Sequence, residues 1–159
     1  MKIKFLFILL IATAFLSSYM SGSDKLREGS DAPVIELIDQ QGVNLLEKNN
    51  FGKYRLINFW SPKNPASRIS NVEFNRFVKE NENSDIEFIS ICIDKDESLM
   101  KEVMKVDGIQ GTENISFSQL SSRVLKDYDV ENSPKSLLIS PDGKILKFSP
   151  SVSVLGQYL

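Results

Sequence analysis

The chain has 159 residues, with 19 basic and 21 acidic side chains, one cysteine and no histidine. That length supports one domain with a real core, and a net charge of −2 gives no electrostatic case for nucleic-acid binding. Without histidine, Ser-His-Asp and Cys-His sites and histidine-ligated metal sites are excluded. One cysteine excludes an internal disulfide, a C-x-x-C redox pair and a zinc cluster, and no cofactor or metal is expected.

Residues 1–23 have the pattern of a secretory signal. Lys2 and Lys4 precede an apolar run over residues 5–16, interrupted only by Thr13, and small or polar residues follow. The run is short for a membrane span. Ser21-Gly22-Ser23 is the best cleavage match, which leaves residues 24–159 as an exported domain in the periplasm or cell envelope. The alternative is an uncleaved anchor, the one route by which the chain would touch a membrane.

Residues 24–32 form a polar lead-in. Pro33 opens a predicted strand over 34–38, and the Asp39…Gly42 turn returns a second strand over 43–46, giving an N-terminal β-hairpin. The run YRLINFW (54–60) suits a buried strand. Residues 64–80 read as a helix with Ile69, Val72, Phe77 and Val78 inward and Arg68, Glu73, Arg76 and Lys79 in water. Residues 86–93 (IEFISICI) are nearly continuously apolar, as in a parallel strand covered on both faces. A helix is predicted over 96–104, a loop between Gly108 and Gly111, and a further helix over 118–128. Strands over 136–139 and 144–148 flank the turn Ser140-Pro141-Asp142-Gly143, and one short helix closes residues 152–159. Strands alternating with helices imply an α/β sandwich with a central mixed sheet flanked by helices.

Three stretches together resemble the thioredoxin superfamily, in its exported thiol–disulfide oxidoreductase branch of the TlpA/ResA type, with AhpC/TSA-like relatives. They are GSDAPVIELIDQQGVNL (29–45), GKYRLINFWSPKNPASR (52–68) and YDVENSPKSLLISPDGKIL (128–146). The resemblance implies a thioredoxin-like fold across residues 24–159. The family carries Cys-x-x-Cys after its Phe-Trp pair. Counted from Phe59-Trp60, those positions hold Asn64 and Ser67, so dithiol exchange has no attacking thiolate. Pro134, after Ser133, matches the family's cis-proline, which helps bind an extended peptide.

Asn64 is a preferred helix cap and Pro65 suits the first helical position. One reading is therefore a redox site converted into a stable helix start. Another is an anion site made by the helix N–H groups, Lys63 and Arg68. Ser67 as a nucleophile has no base assigned to it. Trp60, Ser61, Asn64, Ser67, Ser133 and Pro134 are the candidate binding residues, either as a retained groove for a peptide or exported protein or as a structural corner. Cys92 sits within the 86–93 strand as a small core residue, with no reason from sequence distance to place it at the site. Asp94, Asp96 and Glu97 lack the glycine and glutamate of a calcium loop and are assigned to the start of the next helix. The expected function is a non-catalytic binding or structural member of the family. The alternative is a degenerate thiol–disulfide oxidoreductase or peroxiredoxin-like enzyme using Cys92 or a partner's thiols.

Overall fold

Two strand-forming runs, rich in aromatic and aliphatic residues, set the architecture. The structure, a computed structural model, describes residues 26–36, 52–109, 113–130 and 134–159. In it β1 (Tyr54–Trp60) and β2 (Ile86–Cys92) pair in parallel along their whole length, from Tyr54↔Ile86 to Trp60↔Cys92. Between them runs α1 (Pro65–Glu80), and after β2 comes α2 (Glu97–Val106). β3 (Glu113–Ile115) adds in parallel to β2. A 3₁₀ turn (Phe117–Gln119) and α3 (Ser122–Asp127) follow. β4 (Ser136–Ile139) is antiparallel to β1, and β5 (Ile145–Phe148) is antiparallel to β4. α4 (Val152–Leu155) and a last 3₁₀ turn (Gly156–Tyr158) end the chain. The sheet is mixed, as the sequence pattern implies, and its strand order is β3-β2-β1-β4-β5.

Alternation along the strands divides the core. Ile57, Phe59, Ile89, Ile91, Leu137 and Ile139 pack on one face with Val124 and Leu125 of α3 and with Tyr128. Leu56, Phe88 and Leu138 pack on the other with Phe74 and Phe77 of α1 and Leu155 of α4. Trp60 and Cys92 continue this second face at the ends of β1 and β2, where Met100 of α2 covers them.

Between those two apolar layers runs a polar row. Asn58 is in register with Ser136 of β4 on one side and Ser90 of β2 on the other, and Ser90 with Asn114 of β3. Asn58, Ser90 and Ser136 are buried, and so are Ser67, Asn71 and Asn75 of α1 above them. Asn71 Oδ1 accepts from Asn58 Nδ2 at 3.1 Å and from Ser90 Oγ at 2.8 Å. The buried stripe of α1 is therefore 67, 71, 74, 75 and 77, with polar residues in its first turns. This corrects the predicted helix face: Ile69 is 59% exposed, and Phe74 takes the core position.

Other predicted elements differ locally. No strand forms at Val34–Glu36; instead Gly29 N–H donates to Ile145 O, Ile145 N–H to Ser30 O, and Asp31 bridges Lys144, so the polar lead-in lies along β5. The rest of the predicted hairpin lies outside the described residues, as do residues 1–23. The helix predicted over 118–128 is split: Gln119 Oε1 accepts the Ser116 N–H at 2.9 Å, closing a 3₁₀ turn, and Leu120 is extended before α3 begins. β3 follows the Gly108–Gly111 loop, in a stretch to which the sequence pattern assigns no element.

Replacing Asn71 by Ala removes the acceptor shared by two buried donors. A loss of about 2 kcal/mol of unfolding free energy is expected, measured as a lower urea midpoint at unchanged slope.

Candidate functional site

The site forms where β1 ends and α1 begins. Asn64 has extended backbone angles, and its Oδ1 accepts the Ser67 N–H at 2.9 Å. Its carbonyl accepts the Arg68 N–H at 3.0 Å, the first helical bond. Pro65 follows at a position where a missing N–H costs nothing. This is the cap the sequence predicts.

Ser67 completes a small lattice. Its hydroxyl donates to Asn64 O at 3.1 Å and accepts the Ser61 N–H at 3.2 Å. Residues 64 and 67 are thus bridged twice by hydrogen bonds. Neither hydroxyl partner is a group that takes up a proton, so Ser67 has no base and remains a structural hydroxyl.

The cations beside the cap are engaged. Lys63 Nζ lies 3.0 Å from Asp94, and Arg68 forms a two-point pair with Asp107, with Nε at 2.7 Å. Together they tie the start of α1 to the segment between β2 and the end of α2. The Ser67 N–H is also taken by Asn64. The anion reading of this helix start therefore loses both its cations and a leading donor to intramolecular partners.

Asp94 is a site residue that sequence reasoning misses. It accepts from Asp96 N–H at 3.0 Å, from Ser61 Oγ at 3.3 Å and from Lys63. The Asp96 N–H foremost, then Lys63 and Ser61, hold its carboxyl below the usual range against the opposing effect of burial. Asp96, not Asp94, caps α2, accepting the Leu99 N–H at 3.0 Å. Two nearby carboxylates of one sequence cluster thus do different work.

Trp60 is 1% exposed and packs with Cys92 and Met100, so it supports the site from beneath. Cys92 is its register partner. This corrects the separation inferred from sequence distance: parallel pairing brings Cys92 to the same end of the sheet. It is fully buried, its Sγ lies 3.9 Å from Asp94 O, and burial, foremost, pushes its thiol up to about 11. At neutral pH such a group is a protonated thiol rather than a nucleophile.

Pro134 comes to Asn64 and Ser67 from across the sheet. The Phe59 N–H donates to Lys135 O at 2.9 Å and so holds the start of β4 against β1. Asn64, Ser67 and Pro134 line one hollow of about 340 Å³. Ser61 is tied into the Asp94 lattice behind it. Ser133, and with it the peptide bond preceding Pro134, lies outside the described residues.

Known proteins are similar to this chain in sequence and fold. The family described as thioredoxin-like matches residues 52–145. The thiol–disulfide oxidoreductase ResA of Bacillus subtilis (strain 168) is 26% identical over 132 residues, covering 82% of this chain and 72% of its own. A crystal structure of a thioredoxin-like protein from Parabacteroides distasonis ATCC 8503 is 27% identical with a TM-score of 0.68, covering 83% of this chain and 93% of that one. A thiol–disulfide oxidoreductase from Bacteroides fragilis NCTC 9343 is 26% identical with a TM-score of 0.63, covering 80% and 96%. These relatives agree with the TlpA/ResA-like branch. The matched residues contain β1, all of α1 and α2, β4 and the cap at Asn64, and the chain belongs to the thioredoxin-like family.

Proposed function

We propose that this is an exported thioredoxin-like protein that binds a polypeptide segment at Asn64, Ser67 and Pro134 and performs no thiol–disulfide exchange. The observation that carries the reading is the bridge between positions 64 and 67. Counted from Phe59-Trp60, these are the places of the family's paired cysteines, and here they hold an amide and a hydroxyl that bond to each other's backbone. A helix N-terminus lowers a thiol's pKa when a thiol is there. With Asn64 in place, the same N–H groups are used to cap the helix.

Burial of Cys92 speaks against the enzyme alternative, because a desolvated thiol behind Trp60 is neither ionised nor reachable. Export rests on the residue pattern of 1–23, with residues 24–159 as the exported domain.

Reduction of insulin disulfides by the purified chain is expected to proceed no faster than with Cys92→Ser; a faster rate from the unaltered chain overturns the reading. Alkylation of Cys92 is expected only on denaturation, followed by intact mass. Asn64→Ala is expected to cost about 1 kcal/mol of stability through loss of the cap, read by urea unfolding. The double variant Asn64→Cys/Ser67→Cys is expected to gain a thiol that titrates below the ordinary cysteine range, read by thiolate absorbance. Two thiols of ordinary reactivity would show that positions 64 and 67 are not the family's cysteine positions.

A further inference from the structure

The hollow beside the cap has a composition that the fold alone does not explain. Ser67 and Ser70 of α1 form one wall. Ser136 and Ser149 form the opposite wall, held together by the Ser149 N–H donating to Ser136 O at 2.8 Å. Ser149 adopts φ 45, a left-handed conformation that glycine would take more readily. Asn58, 1% exposed, lies at the floor. Behind it Asn71 is fully buried, with Oδ1 accepting twice and Nδ2 unpartnered.

Asn58 and Ser90 interrupt the otherwise apolar buried stretches of the two strands, LINFW (56–60) and FISIC (88–92). An apolar residue at either place would bury more favourably than an amide or hydroxyl. Departures from the local pattern of this kind concentrate at functional positions. Here they lie under an open hollow whose volume is within the range of ligand sites.

The lining chooses among chemical classes. Among the described residues it contains no carboxylate, so an incoming ammonium finds no counter-charge there. Its one cation among them, Lys135, lies 3.7 Å from the Asp129 carboxylate, so an incoming carboxylate meets a cation already partnered. An apolar group would strip water from serine and asparagine side chains without replacing its hydrogen bonds, which is costly for each group left unpaired. Serine hydroxyls and asparagine amides both donate and accept. The complementary guest is neutral and also does both.

Resting on the peptide-binding reading above, we infer that this hollow receives an uncharged carboxamide, the side chain of a glutamine or asparagine in the bound segment. The Ser67 and Ser70 hydroxyls already donate to Asn64 O and Ala66 O, so the guest's NH₂ donates to that wall, while its C=O accepts from the opposite serine wall and from the second Nδ2 hydrogen of Asn58. Asn64 and Pro134 at the mouth face the backbone of the same segment.

The test uses the full chain, labelled with ¹⁵N, and blocked pentapeptides Ala-Ala-X-Ala-Ala with X as Gln, Glu, Lys or Leu. The Gln peptide is expected to bind about tenfold more tightly than the other three and to shift the side-chain amide signals of Asn58 and Asn71. Ser149→Gly, which suits the left-handed backbone, is expected to reduce that preference while leaving the rest of the spectrum in place. Equal binding of all four peptides overturns the carboxamide inference and leaves peptide binding standing. If no pentapeptide binds but blocked glutamine alone shifts Asn58, the peptide reading falls and the hollow's selectivity stands. If neither blocked glutamine nor any pentapeptide shifts Asn58, both are overturned.

Discussion

The parallel register of β1 and β2 governs what stands beneath the site. With Tyr54 opposite Ile86 and Trp60 opposite Cys92, every second pair faces α1 or α2. From Leu56 onward those pairs are Leu56–Phe88, Asn58–Ser90 and Trp60–Cys92, an apolar, a polar and an apolar layer in succession, the last covered by α2. A slip of one residue would turn all three layers to the opposite face. The same register brings the ends of both strands together, and this lets Ser61, one residue past β1, reach Asp94, two past β2. The site is therefore a product of strand pairing before any of its own side chains act.

The loop from Ser61 to Arg68 is then fixed by many weak bonds. The cap contributes about 1 kcal/mol, and partly exposed ion pairs such as Lys63–Asp94 contribute up to about 1 kcal/mol each. No single one is decisive, but they act on different parts of the loop. Ser61 takes bonds from Lys63 and gives one to Asp94, Asn64 and Ser67 bridge each other, and Arg68 is tied to Asp107. A disulfide between positions 64 and 67 could open and close with redox state. Asn64 and Ser67 cannot form that bond, so the hydrogen-bonded lattice here does not switch with redox state.

How much of this was legible depended on whether a signal was local. Asn64-Pro65 gives a helix start because capping is decided within four residues, and the strands at 54 and 86 follow from runs rich in aromatic and aliphatic residues. Gly143 at φ 87 closes the Pro-Asp-Gly turn that the sequence announces. The buried face of α1 was not legible, because Ser67 and Asn71 occupy its core stripe and hide the apolar period. Ile69, apolar and exposed, completed a false pattern. Asp94 and Cys92 were misplaced for a related reason: their partners Lys63 and Trp60 are about 30 positions away, and only strand register connects them. β3 has three residues, too few to carry a period of its own.

The polar row ties these threads together. Buried amides and hydroxyls are tolerated when they satisfy one another, and Asn58, Asn71 and Ser90 largely do. That accounts for how the row survives in the core, but not for why it is there, since three apolar side chains of similar volume would fill the space without leaving Asn71 Nδ2 unpaired. The layers on either side of it are conventionally apolar, so the sheet's packing does not demand polarity at this level. What distinguishes this level is that its Asn58 and Ser136 reach the hollow, whereas Leu56 and Leu138, each two residues away on the same strands, do not. The polar character thus follows the path of access from solvent rather than the geometry of the sheet. Asn58 and Ser136 meet the opening, and Asn71 and Ser90 behind them bond to each other and hold Asn58 in place, so the polarity of the row is what the proposed guest requires.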